Sequence, residues 1–182
     1  FNIDAKSPMG KDQDAILRVF TKVFYEHCGY YGDDMKVAAF ERFLDHQGKL
    51  GAFKEAFLKI NMEPWQTARE AFAFWEDDII EALRQVVDIS EQAARNWFNG
   101  TETAEISIDR LTREISEYVK SKAPNFHLVF LVDEIGQYIG DDSGLMLNLQ
   151  TVVEELGSKC MGKVWVIVTS QEDIDSVRDE EH

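Results

Sequence analysis

Cysteine is scarce in these 182 residues, occurring only as Cys28 and Cys160. No C-x-x-C pair and no His/Cys cluster at zinc-ligand spacing accompanies them, which argues against a disulfide framework or a structural zinc site and fits a reducing, cytoplasmic compartment. Long hydrophobic runs are missing as well. The longest, Leu128 to Val132 and Val164 to Val168, are far too short to span a bilayer, so no membrane segment is expected. Basic side chains are outnumbered, with 19 Lys and Arg against 34 Asp and Glu and a formal net charge of -15. The imbalance is steepest from Phe126 onward, where 12 acidic residues face 3 basic ones. An acidic surface repels phosphate backbones, so DNA contact through this chain is not expected. The sequence opens on Phe1 without a signal-peptide pattern, which reads as an interior piece of something longer.

What is present is a folding sequence. Apolar residues make up 45% and aromatics 12% of the chain, enough to build one full domain or two small ones. The first two-thirds carry a helical period. Ile16, Phe20, Val23, Phe24 and Cys28 share one face of a helix expected from about Asp12 to Tyr30, ended by Gly29 and Gly32. Further helices are expected from Asp34 to His46, with Val37, Phe40 and Leu44 inward, and from Lys49 to Ile60, with Phe53, Phe57 and Ile60 inward. Pro64 opens a long helix through Trp65, Ala68, Phe72, Trp75, Ile79, Leu83 and Val86. Ser90 caps a short one carrying Ala94, Trp97 and Phe98, and Ile108, Leu111, Ile115 and Tyr118 mark another that ends before Pro124. The aromatic stripe reads as core, and the likeness of "AFERFL" to "AFKEAFL" is too short to establish a repeat.

At Pro124 the period changes. Val129 to Val132 lacks polar alternation, as expected of a parallel strand covered on both faces. Asp142 or Ser143 caps a helix with Leu145, Leu149, Val152, Val153 and Leu156 inward, stopped by Gly157, and "KVWVIVTSQ" supplies a second apolar strand. Strand, helix and strand within this length form a βαβ unit with a right-handed crossover. Ligands of such sheets bind at the carboxyl ends of the strands, where Asp133, Glu134, Thr169, Ser170 and Gln171 fall.

A buried strand that runs into Asp-Glu at that edge has the Walker B pattern of P-loop nucleotide hydrolases. Asp133 is placed to hold magnesium, and Glu134, one residue further out, to polarise the water that attacks the terminal phosphate of ATP. Thr169, Ser170 and Gln171, at the tip of the adjacent strand, fall where a sensor of that water or phosphate belongs, and the glycine- and acid-rich "GQYIGDDSG" lies over the site as a loop. The partner motif, G-x-x-x-x-G-K-[ST] after a strand, is missing. "GSKCMGKV", Gly157 to Val164, ends on valine where the metal-binding hydroxyl belongs and precedes a strand instead of a helix. "PMGKD", Pro8 to Asp12, lacks both the first glycine and the hydroxyl. The chain by itself is therefore not expected to bind ATP tightly or to hydrolyse it.

The stretch from Leu128 to Asp175, with "VDEIGQYIG", "LMLNLQT" and "VWVIVTSQEDID", closely resembles the Walker B to sensor region of the large P-loop ATPase of bacterial BREX phage-defence systems, the BrxC/PglY type. The resemblance covers about the last quarter of the chain strongly and the helical part only in general character. It implies a phosphate loop upstream of Phe1, an α-helical insertion subdomain over residues 1–125, and a partial AAA-like P-loop core over 126–182. Asp133, Glu134 and Thr169 to Gln171 match the family's motif positions, and Arg178 is a candidate arginine finger. ATP and Mg2+ as cofactors of the parent protein, and other BREX complex proteins as partners, follow from the resemblance.

The fold expected is thus α/β but mostly helical, a helical subdomain joined to a partial parallel sheet. Two apolar strands with an open edge invite self-association. A non-catalytic helical interaction module, in which Asp133 and Glu134 merely end a strand in solvent, is the rival reading. A metal-dependent nuclease using Asp141 and Asp142 stands well behind, because both are explained as helix cap and surface.

Overall fold

The computed structural model describes residues 1–3, 14–99 and 106–170. It is mostly helical, with one two-stranded parallel sheet. The chain divides into two compact units, one of residues 1–24 with 106–182 and the other of residues 25–105. This division differs from a boundary at 125, because α1 (Ala15–His27) starts among the residues that pack with the strands.

The unit of residues 25–105 is built from amphipathic helices whose ends are written in the sequence. Gly29, at φ +87, closes the end of α1. Its N–H bonds back to Glu26 O at 3.0 Å and that of Tyr30 to Tyr25 O at 2.9 Å, the paired closure that a left-handed residue permits. The carboxylate of Asp34 accepts from the N–H groups of Lys36 and Val37 and so starts α2 (Met35–His46). Then follow α3 (Leu50–Asn61), α4 (Trp65–Ala68), a 3₁₀ segment (Arg69–Trp75), α5 (Glu76–Val86) and α6 (Glu91–Asn99). Phe40, Phe53, Phe57 and Trp65 are fully buried at the centre. Their rings meet edge-on or tilted at 4.9 to 6.0 Å, as aromatic quadrupoles prefer.

The long helix expected from Pro64 to Val86 is broken. Ala71 leaves helical geometry at φ -112, ψ 36, and a new helix begins at Glu76. Glu76, Asp77 and Asp78 in its first turn complement the positive end of a helix dipole, so this stretch favours a fresh N-terminus over continuation.

In the other unit, Ser107 caps α7 (Ile108–Lys120), and β1 (Leu128–Val132) follows after Pro124. A short helix α8 (Ile135–Ile139), α9 (Ser143–Lys159) and β2 (Val164–Val168) complete it. β1 and β2 pair in parallel from Leu128 opposite Val164 to Val132 opposite Val168. Phe1 and Asn2 extend the pairing on the other edge of β1: the N–H of Asp133 donates to Phe1 O at 2.9 Å, and Asn2 bridges Asp133 in parallel. Phe20 of α1 packs on Phe130 at 5.1 Å between ring centres, and α9 packs on both β2 and α7.

Four expectations are corrected here. The sheet is covered on one face only: Leu128, Phe130 and Val132 are buried, whereas Val129, Leu131, Trp165 and Ile167 on the opposite face are about half exposed. Among the described residues, packing partners reach the first face alone, so the unbroken apolar run does not here report two-sided burial. The "GQYIG" segment is helix α8, not loop, because Ile135, Tyr138 and Ile139 have a core to enter. Gly157 does not stop α9, which continues to Lys159 and turns at Met161 (φ 50) and Gly162 (φ 73). Lys159 bonds Glu155 at 3.0 Å and Asp109 at 2.6 Å, anchoring that last turn. On α9, Leu145, Val152 and Leu156 are buried as expected, while Val153 faces outward. Cys160, just beyond, is buried, and that burial pushes its thiol above the ordinary range.

Candidate functional site

The tips of the two parallel strands place Asp133, Glu134, Thr169 and Ser170 together at their carboxyl ends. β1 ends at Val132, so Asp133 and Glu134 are the first residues past the core, and pairing in register brings Thr169 opposite them. The hydroxyl of Thr169 donates to Asp133 Oδ1. The N–H of Glu134 donates to that same hydroxyl oxygen at 3.3 Å. The main chain repeats the tie: Thr169 N–H donates to Val132 O at 2.9 Å, and Ile135 N–H to Thr169 O at 3.1 Å.

Glu134 sits in the left-handed region at φ 60, ψ 29, immediately before α8. A residue with a Cβ costs on the order of 1 kcal/mol there, a strain that persists only where surrounding bonds over-determine it. The four bonds to Thr169 supply that constraint. The conformation turns the chain sharply out of the strand and places the Glu134 side chain beside Asn2, whose amide Nδ2–H donates to Glu134 Oε2.

Gly136 permits a second close approach. A Cβ at that position would lie 2.2 Å from Ser170 Oγ, so the present placement of the Ser170 side chain against α8 relies on glycine in its first turn.

Residues that could hold a divalent cation are few. Among the described residues no group of three or more His, Cys, Asp and Glu converges as an all-protein cage would require. Mg2+ is commonly held by one or two carboxylates, with phosphate oxygens and water filling an octahedral shell. Asp133 could serve in that role: the Thr169 hydroxyl holds its Oδ1, and a second-shell hydrogen bond of this kind aims a metal ligand. Asp142, weighed as a nuclease carboxylate, instead caps α9 by accepting from Gly144 and Leu145 N–H at 2.9 and 3.1 Å. Asp141 is exposed beside it.

Of the residues singled out in the sequence, the structure brings Asp133, Glu134, Thr169 and Ser170 together. Gln171, Arg178 and the "PMGKD" segment lie outside the described residues. "GSKCMGKV" spans the last turn of α9 and the turn into β2, so no helix follows it to receive a phosphate. Two neighbours went unnoticed in the sequence. Asn2 meets Glu134 across 132 residues, a separation with no local signal. Gly136 had one, a glycine two positions after the acidic pair, where close backbone approach is a standard reason for the residue type. Charge, shape and hydrogen bonding at these tips stand on the chain's own geometry, since neither a known family model nor a solved structure matches it.

Proposed function

We propose that this chain carries the Walker B and sensor half of a P-loop ATPase site, of the kind found in the BREX phage-defence ATPases that residues 128–175 resemble, and that residues outside the 182 supply the phosphate loop. The observation that supports it best is the Asp133–Glu134 pair at the carboxyl end of a parallel strand, bonded to Thr169 at the tip of the next. On this reading the sheet is part of an AAA-like core and the helical unit an insertion. The cofactors are ATP and Mg2+, the compartment is the cytoplasm, and the partners are the other proteins of a BREX complex.

Bound magnesium would neutralise charge on the phosphates and orient the terminal group for in-line attack. The chain's own part is positional. Asp133 would hold the cation through its carboxylate. Glu134, carried outward by its left-handed backbone, accepts a proton from water at its carboxylate. Ser170 and Gln171, which follow Thr169 in the chain, are the candidate sensor residues.

Glu134→Gln in a chain long enough to include the phosphate loop tests the reading. Mg-ATP binding should persist while turnover falls by about 10²-fold or more, the usual contribution of a positioned general base. Unchanged turnover would refute it. Calorimetry of the 182-residue chain with Mg-ATP should show no binding heat, and micromolar binding would refute the absence of a phosphate loop.

One observation favours a second reading, the helical unit as a protein-docking module. Met62 and Phe74 of that unit are 80% and 78% exposed, apolar side chains that a partner could cover. Both roles fit one protein. They separate experimentally because docking is indifferent to Glu134→Gln.

A further inference from the structure

We propose that Thr169 is a positioning residue, a clamp that holds Asp133 and Glu134 in their working geometry, and that it is not a sensor of phosphate. The proposal rests on the ATPase reading above and assigns a different job to one of its residues. A threonine hydroxyl has one proton and two lone pairs. Here the proton goes to Asp133 Oδ1, and one lone pair accepts the N–H of Glu134 at 3.3 Å. With its proton on Asp133, the hydroxyl has none to donate to a phosphate oxygen or to hold the lone pair of an attacking water. The backbone of Thr169 bonds Val132 and Ile135 as well, at 2.9 and 3.1 Å, so one residue engages four consecutive positions of the facing chain.

Those four bonds bracket the one strained residue of the site. Glu134 at φ 60 has its own N–H on the Thr169 hydroxyl and the next N–H on the Thr169 carbonyl. Removing the hydroxyl releases both ends of the acidic pair together, the carboxylate of Asp133 and the amide of Glu134. The sensor role is left to Ser170 and Gln171. Ser170 lies instead against Gly136, where the glycine leaves room for its side chain.

Nuclear magnetic resonance on the isotope-labelled 182-residue chain, without nucleotide, tests this. Thr169→Val keeps the β-branched shape at an exposed strand end and removes the hydroxyl. It should shift the Asp133 and Glu134 backbone resonances and speed amide exchange at Glu134 by about tenfold, the loss of one net hydrogen bond. Thr169→Ser should restore both, and Ser170→Ala should leave both unchanged. Unaltered Glu134 shifts and exchange in Thr169→Val, with the remaining spectrum native, would overturn the clamp. Titration with Mn2+ alone tests the reading beneath it. Broadening centred on Asp133 in the wild type, weakened in Thr169→Val and recovered in Thr169→Ser, supports a clamp that serves a metal ligand. Mn2+ that leaves Asp133 sharp in the wild type overturns the metal-site reading and the role given to the clamp, whatever the exchange data show.

Discussion

Glu41 is the residue whose removal should cost the helical unit most. It is fully buried, and its carboxylate takes three donors: Trp65 Nε1 at 2.7 Å and Arg69 Nη1 at 2.8 Å on Oε1, and the N–H of Tyr31 at 2.6 Å on Oε2. Arg69 also lies 4.9 Å above the Tyr31 ring. A buried carboxylate is retained only when its lone pairs are filled, and breaking such a pair from one side leaves the partners desolvated and unmatched. Each stranded donor costs about 1–3 kcal/mol. Arg69 keeps some solvent, with 19% of its side chain exposed, so its share is discounted. Glu41→Ala should therefore lose about 4 kcal/mol. Glu41→Gln should lose only about 2 kcal/mol, because its carbonyl oxygen still serves Trp65 and Arg69 while its NH₂ opposes the Tyr31 donor. Urea unfolding followed by tryptophan fluorescence in a Trp165→Phe background would report this unit, since Trp65, Trp75 and Trp97 all lie within it. The ordering Ala worse than Gln is as diagnostic as the size. A loss below about 1 kcal/mol in Glu41→Ala, or Gln equal to Ala, would refute the claim that the three-donor network holds these helices together. Adding Arg69→Met to Glu41→Ala should recover part of the loss, because the uncompensated charge goes with it.

Phe130→Ala empties the packed face of the sheet beneath Phe20 and should destabilise its unit by about 3–4 kcal/mol by chemical denaturation; a loss under 1 kcal/mol would mean that ring pair carries little of the core. Burial, reinforced by its hydrogen bond to Asp45 at 2.7 Å, raises the Tyr30 phenol above its ordinary value, so the folded state holds that proton more tightly than the unfolded one. Its stabilising effect is complete below about pH 10 and is lost as pH rises beyond, where the unfolded chain ionises first. Stability curves in alkali should fall less steeply for Tyr30→Phe, and parallel curves would remove Tyr30 from that transition. Cys160, buried and with its thiol raised, should react with a disulfide reagent far more slowly than half-buried Cys28, and equal rates would contradict the placement of Cys160. Leu131 and Trp165 are each 57% exposed on the open sheet face, so replacing both with lysine should leave folding stability within about 1 kcal/mol. If this face drives the proposed self-association, sedimentation will show wild-type mass rising with concentration and the double variant holding at monomer; a monomeric wild type would discard that idea.

Local chemistry made most elements legible. The Ser90 and Asp142 ends are places where a short polar side chain outcompetes water for orphan helix N–H groups, and a few residues of sequence state that competition completely. The faces of α2 and α3 follow from spacing alone, with Val37, Phe40, Leu44, Phe53 and Phe57 buried. The failures share a cause. Whether Ala71 continues a helix depends on a contest between weak preferences, and whether Val129 and Leu131 are covered depends on what lies across the sheet, which a period cannot express.

The strand tips show why half a site is readable and the other half is not. Asp133 and Glu134 are legible as a candidate pair because the sequence sets two carboxylates directly after an apolar strand. What Thr169 does with its single proton is settled by register, by which residue the parallel pairing sets opposite Asp133, and register is a property of two segments together. A Thr-Ser-Gln tip reads equally well as three sensors. With β2 in place, the first of them is drawn back to the acidic pair and the second is lodged against Gly136. Neighbouring polar residues at one strand tip can therefore turn to different partners, and the division follows from geometry that composition does not contain.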